Sequence, residues 1–247
     1  MKVMPALVAK ALTDSGYDLI SAQDGDWFVA GISGSPARVL IQINEEGVFL
    51  AVPEAGAAAR IGLETSDQVP PAGMTSVGLA RGAFHIYEAL RMLHSLLVHP
   101  VAVLDAKVEA RLAAIPETER TREVRQRIGQ DVFREALMDL WQGRCAVTGL
   151  ALPSQLLRAS HAKPWAKATH SERLDPFNGL LLSIHLDVMF DTGLIAFSDD
   201  GLLLCSRRLD ASVRGHFSIT DGLRLRTLSP GHIPYLSWHR KHLFEGT

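Results

Sequence analysis

The chain has 247 residues, 47% of them hydrophobic and 21% charged, with a formal net charge of −2 at pH 7. This globular composition excludes a disordered protein, and the length allows two modest domains. No apolar run approaches the ~18–20 residues of a membrane span. The opening MKVMPALVAKALTDSGYDL turns polar too early for a signal peptide, and Cys145 and Cys205, the only cysteines, cannot build a CxxC…CxxC zinc site and fit a reducing cytoplasm.

Charge is unevenly divided. Residues 1–105 hold 6 Lys and Arg against 11 Asp and Glu, whereas residues 106–247 hold 19 against 16 and 7 of the 10 histidines. The second half is therefore the one expected to face a polyanion.

Met4 to Ser15 reads as a helix with Leu7, Val8 and Leu12 on its apolar side. Four β-like runs follow at 17–22, 26–32, 37–44 and 47–52, separated by the turn sequences AQDG, SGSP and EEG, which predicts an antiparallel meander. Pro53 to Thr75 has no clear period and reads as loop. Ala80 to Val98 is the clearest helix, with Phe84, Tyr87, Leu90, Leu93 and Leu97 spaced for one buried face. Residues 1–105 are thus read as an α+β domain. Residues 106–130, of mixed charge, read as a solvated helical linker, with phosphate contact by Arg120, Arg122, Arg125 and Arg127 the alternative. Asp131 is placed to cap a helix over FREALMDLW.

The stretch from Ser160 to Gly193 carries the chemistry. Leu156–Ser160 and Gly179–Ser183 are predicted strands, and Ile184–Thr192 a helix stopped by Gly193. Asp187 and Asp191 are four apart, so their carboxylates lie about 40° apart on one helix face. No Lys or Arg lies between Ile184 and Thr192 to neutralise them. A divalent cation answers that repulsion, and oxygen ligands suit Mg or Mn, with Zn or Ni as alternatives. After Gly193, LIAFSDDGLLLCS reads as a hairpin through Asp-Asp-Gly, LRLRTL as a further strand, and IPYLSWHRKHLF as a terminal helix.

GRCAVTG at 143–149, ASHAKPW at 159–165, RLDPFNGLLLS at 173–183 and HLDVMFDTGLIAF at 185–197 together resemble the HNH endonuclease family, in its restriction-type branch without zinc knuckles. The resemblance covers residues 132–244. It implies an α+β fold whose C-terminal domain, residues 131–247, is a ββα-metal unit. It also implies that His161 is the general base and that Asn178 braces the loop and orients that base. Asp187 and Asp191 fall where the family's helix metal ligands lie. His185 supplies the second written H, yet it points about 200° around the helix from Asp187 and ranks below the acids as a ligand. Many members carry an acid or histidine directly before the base; this chain has Ser160.

The resemblance implies metal-dependent hydrolysis of phosphodiester bonds in double-stranded DNA, in a restriction or defence role, with residues 1–105 as a sensor or targeting domain. A catalytically weak nucleic-acid-binding module of the same fold is the alternative, and RNA is the alternative substrate, since the metal–histidine chemistry does not itself choose the sugar. Lys163, Lys167 and Arg173 on the loop, and Arg240 on the last helix, are candidate phosphate contacts. A homodimer would let single-cut domains break both strands.

Overall fold

The computed structural model describes residues 3–33 and 35–246, so the SGSP turn, which contains Gly34, falls partly outside the description. It is a mixed α+β chain that divides into two compact units: Met1–Val98 with Ser229–Gly231, and the remainder.

The first unit opens with α1 (Ala6–Asp14), followed by β1 (Leu19–Asp24), β2 (Trp27–Gly31), β3 (Arg38–Asn44) and β4 (Gly47–Val52). Each pairs antiparallel with the next, as the turn sequences predict. The expected loop contains a short helix α2 (Ala57–Arg60) and the two-residue β5 (Glu64–Thr65). Next, β6 (Ser76–Ala80) takes Ala80 out of the predicted helix, so that α3 runs from Gly82 to Val98. The six strands form one antiparallel sheet in the order β1-β2-β3-β4-β6-β5.

Both faces of this sheet are apolar. Val39, Ile41, Val48, Leu50 and Val52 share one face by strand parity, and Leu40, Phe49, Ala51, Val77 and Leu79 cluster on the other. That two-sided burial explains why GVFLAV reads as a continuous apolar run rather than an alternation. Tyr17, fully buried, donates its hydroxyl to the Leu90 carbonyl and ties the start of the sheet to α3.

The second unit begins with α4 (Val101–Ala113) and α5 (Arg122–Leu140). Of residues 106–130, read from sequence as a solvated helical linker, 106–113 and 122–130 lie in these two helices, which pack on each other. Thr121, not Asp131, caps α5: its side chain accepts from the Val124 amide, and Asp131 sits inside the helix. Charged early turns conceal a buried stripe at Ile128, Val132, Phe133, Ala136, Leu137 and Leu140. Arg120 donates to the Ile115 and Ala113 carbonyls, satisfying the end of α4.

The central unit is a hairpin followed by a helix. β7 (Leu157–His161) pairs antiparallel with β8 (Gly179–Ser183) over all five residues, and α7 (Ile184–Asp191) starts directly after β8. Between the strands lies a loop with the short helix α6 (His170–Leu174). The packing is intimate, since a Cβ on Gly179 would fall within 2.6 Å of Phe133 and Leu137 of α5. Gly193 ends α7 at φ +70°, and a Cβ there would come 2.0 Å from the Leu243 carbonyl oxygen.

β9 (Ile195–Phe197) and β10 (Leu203–Cys205) pair through the Asp-Asp-Gly turn. The LRLRTL segment makes only an isolated bridge, Leu202 to Arg224, and not a strand. Helices α8 (Ala211–His216) and α9 (Ile233–His242) complete the unit.

Candidate functional site

Successive side chains of a strand point to opposite faces. At the end of β7 this rule separates Ser160 from His161. The Ser160 hydroxyl turns to α7 and donates to Asp191 Oδ1 at 3.3 Å, whereas the His161 ring turns to α5 and stacks on Phe133 at 3.8 Å between centroids. The structure therefore sets Ser160, rather than the imidazole, directly against the acids.

Asp187 and Asp191 stand on one face of α7, as their spacing requires. Burial pushes the Asp191 carboxyl up to about 6, with the neighbouring Asp187 adding to the rise and the Ser160 hydroxyl opposing it. Asp187 is raised by burial as well, against the pull of Ser160 and of Arg158. Two carboxylates on one turn, Asp187 half-buried and Asp191 more exposed at the helix end, both beside the Ser160 hydroxyl, form an oxygen donor set that suits a hard divalent ion. Among the described residues no group of three or more His, Cys, Asp and Glu assembles for a metal, so the third protein oxygen at this locus is that of Ser160. His185 does not join it. Its ring stacks on Phe217, 5.7 Å between centroids and 16° between planes.

His161 is held on three sides. Its Nε2 donates to the Arg173 carbonyl at 3.0 Å, Phe133 covers its face, and Trp165 meets it edge-on with centroids 5.7 Å apart. A carbonyl can only accept, so Nε2 carries the proton and Nδ1 keeps its lone pair. Burial depresses the imidazole to about 4, which leaves it neutral across the whole neutral range. Beside it lies an open hollow lined by Gln130, Arg134, Gln155 and Arg158 among others.

Asn178, fully buried, anchors the loop that carries Arg173. Its Oδ1 accepts from the Lys163 amide at 2.8 Å, and its Nδ2 donates to the Lys163 and Glu172 carbonyls at 3.1 and 2.9 Å. The asparagine thus fixes both ends of the segment from 163 to 172, immediately before the carbonyl that holds His161.

The expected phosphate contacts divide. Lys163 is occupied by Glu172, with Nζ to carboxylate distances of 2.6 and 2.8 Å, and Glu172 also completes a capping box with Thr169. Arg173 donates Nε to the Trp165 carbonyl. Arg240 donates to the Phe197 carbonyl and pairs with Asp199. Lys167 is exposed on the loop. Arg158, which spacing alone did not single out, is exposed and lines the His161 hollow while acting electrostatically on Asp187. Strand parity is the signal that finds it, since 158 and 160 share a face.

Residues 145–198 match a family model described as HNH endonuclease, which spans the Cys145 turn, the ββα unit and β9. A search of curated proteins returned no match. The matched segment contains Ser160, His161, Asn178, Asp187 and Asp191 together.

Proposed function

We propose, from the HNH-family domain that this chain carries in its C-terminal half, that it is a metal-dependent endonuclease acting on double-stranded DNA. The observation that carries the reading is the end of β7. There, consecutive residues present a hydroxyl to two carboxylates and a neutral imidazole to the loop, with Cα atoms about 3.8 Å apart. Since strand neighbours point to opposite faces, the reading requires a phosphodiester that lies across that strand end, with its charged oxygens toward α7 and the attacking water toward His161.

Asp187, Asp191 and Ser160 would hold the divalent ion. Bound there it would neutralise phosphoryl charge and lower the pKa of water. His161 accepts the proton of the attacking water at Nδ1, and the resulting imidazolium is steadied by the Arg173 carbonyl at Nε2. The water oxygen forms the new P–O bond as the bond to the 3′ oxygen breaks, and that oxygen takes up a proton from solvent. Asn178 acts as a positioning residue by fixing the loop that bears Arg173. Arg158 and Lys167 are the cations left to steer the backbone into place.

The reading extends to a restriction or defence role in the cytoplasm, with the first unit selecting the DNA by a modified base or another feature. The acidic balance of residues 1–105 argues against tight phosphate contact by that unit. A homodimer would supply the second cut.

A second reading, a DNA-binding module of HNH fold that does not cut, is favoured by Ser160 standing where a further anionic ligand would strengthen the site. Plasmid nicking with Mg, Mn, Ni or Zn against an EDTA control decides between them. His161→Ala abolishes nicking with DNA binding retained under the first reading. Binding without nicking by the natural chain in every metal selects the second.

A further inference from the structure

Beside His161, on the side away from α7, α4, α5 and α6 enclose a partly covered hollow of mixed character. Trp165 forms one wall. The others include Arg122, Arg125, Gln126, His170 and Arg173. The indole is closely packed along one edge. α5 carries Gly129 opposite it, where a Cβ would come 2.5 Å from the ring, and Arg173 lies over the ring with Cζ 5.4 Å from its centroid. An aromatic wall with a guanidinium above it is the arrangement on which a nucleobase stacks.

Polar groups line the rest of the hollow, Asp105 among them. Arg125 is paired with Glu109, and His170 with Asp105 at 2.9 Å, so both are held in place. Arg122, exposed at the first residue of α5, makes no hydrogen bond or ion pair among the described residues and is available to an anion at the mouth. Gln126, one helical turn along, carries an amide that both donates and accepts, as a base edge requires.

The hollow is coupled to the chemistry through two of its own walls. Arg173 lines it with its side chain while its carbonyl holds His161 Nε2, and Trp165 lines it while its ring abuts His161. We propose that this hollow is a nucleotide subsite, which stacks one base of the substrate against Trp165 and binds its phosphate at Arg122. The proposal rests on the nuclease reading for the source of its occupant, and on the hollow alone for the chemistry it recognises.

The test is binding of 5′-deoxyadenosine monophosphate to the full chain in EDTA, by calorimetry and by saturation transfer to the base protons. Deoxyribose 5-phosphate serves as the base-free control. The expected result is saturable binding with transfer to the base, about tenfold or more tighter than the control. Arg122→Glu weakens it about tenfold or more, and Arg122→Lys restores most of it. Equal affinity for the base-free control overturns the subsite, because it leaves only an anion site. So does binding that Arg122→Glu leaves unchanged. Nucleic-acid cleavage by the natural chain is measured in parallel. A chain that cuts DNA and takes up no nucleotide overturns the subsite alone. A chain that binds the nucleotide through Arg122 and cuts nothing supports the subsite and removes the nuclease reading.

Discussion

Replacing Asn178 by alanine tests whether the loop is built around one side chain. The substitution deletes three hydrogen bonds, and it leaves the Lys163 amide and the Lys163 and Glu172 carbonyls without partners. The site is buried, and a buried polar group left unsatisfied costs roughly 1–3 kcal/mol. Partial entry of water into the space of the lost amide offsets some of this, so the expected loss is about 3–5 kcal/mol. Urea unfolding followed by tryptophan fluorescence reads the right part of the chain, since Trp141, Trp165 and Trp238 lie in the second unit and only Trp27 in the first. Asn178→Asp is the informative companion. It keeps an acceptor for the Lys163 amide but turns a carboxylate oxygen toward two carbonyls, so it is no more stable than the alanine variant at pH 7. A loss below about 1 kcal/mol for Asn178→Ala, with the loop intact, would refute the reasoning.

Stability should fall in mild acid. Burial holds His239 at about 4, its Nε2 donates to the Phe190 carbonyl, and its buried Nδ1 has no partner among the described residues. The unfolded chain takes up this proton near 6.5 and the folded chain does not until about 4. The site's contribution is therefore complete above the unfolded value and declines toward 4 by about 3 kcal/mol; His239→Gln removes that share of the slope in pH-dependent denaturation and leaves the like share of His161, and an unchanged slope counts against the assignment. Gly193→Ala is expected to cost roughly 2–4 kcal/mol, measured by thermal unfolding, because the left-handed backbone and the nearby Leu243 carbonyl exclude a Cβ. Since Asp191 is raised to about 6, ion binding below that pH displaces a proton, and the apparent Kd should rise about tenfold for each further unit of acid. Calorimetry in buffers of different ionisation enthalpy detects that proton, and its absence would show Asp191 outside the ligand set.

The central ββα unit was legible because its signals are local: an apolar run, a glycine stop, and two acids four residues apart. Helices α4 and α5 were legible as helical segments but not as packed core. Their buried stripe begins at Ile128, after turns whose mixed charges read as solvated, and Thr121 proved a better cap than the Asp131 that sequence favoured. The partition of Ser160 and His161 between α7 and α5 follows from strand parity, yet it gains meaning only once the strand's two neighbours are known. Lys163 and Arg240, expected as phosphate contacts, also meet acids and carbonyls distant in sequence, Glu172, Phe197 and Asp199, which only the fold brings to them. The hollow at Trp165 had no local signature, because its glycine partner lies on another helix.

The claim on which the account depends is that one divalent ion sits between α7 and the end of β7. Titration of the full chain with Mn at pH 7, by calorimetry and by electron paramagnetic resonance of the free ion, measures it directly. The account predicts one ion per chain, with binding abolished in the Asp187→Asn, Asp191→Asn double variant and retained in His161→Ala. Unaltered binding in the double variant, or none in the natural chain, would contradict it.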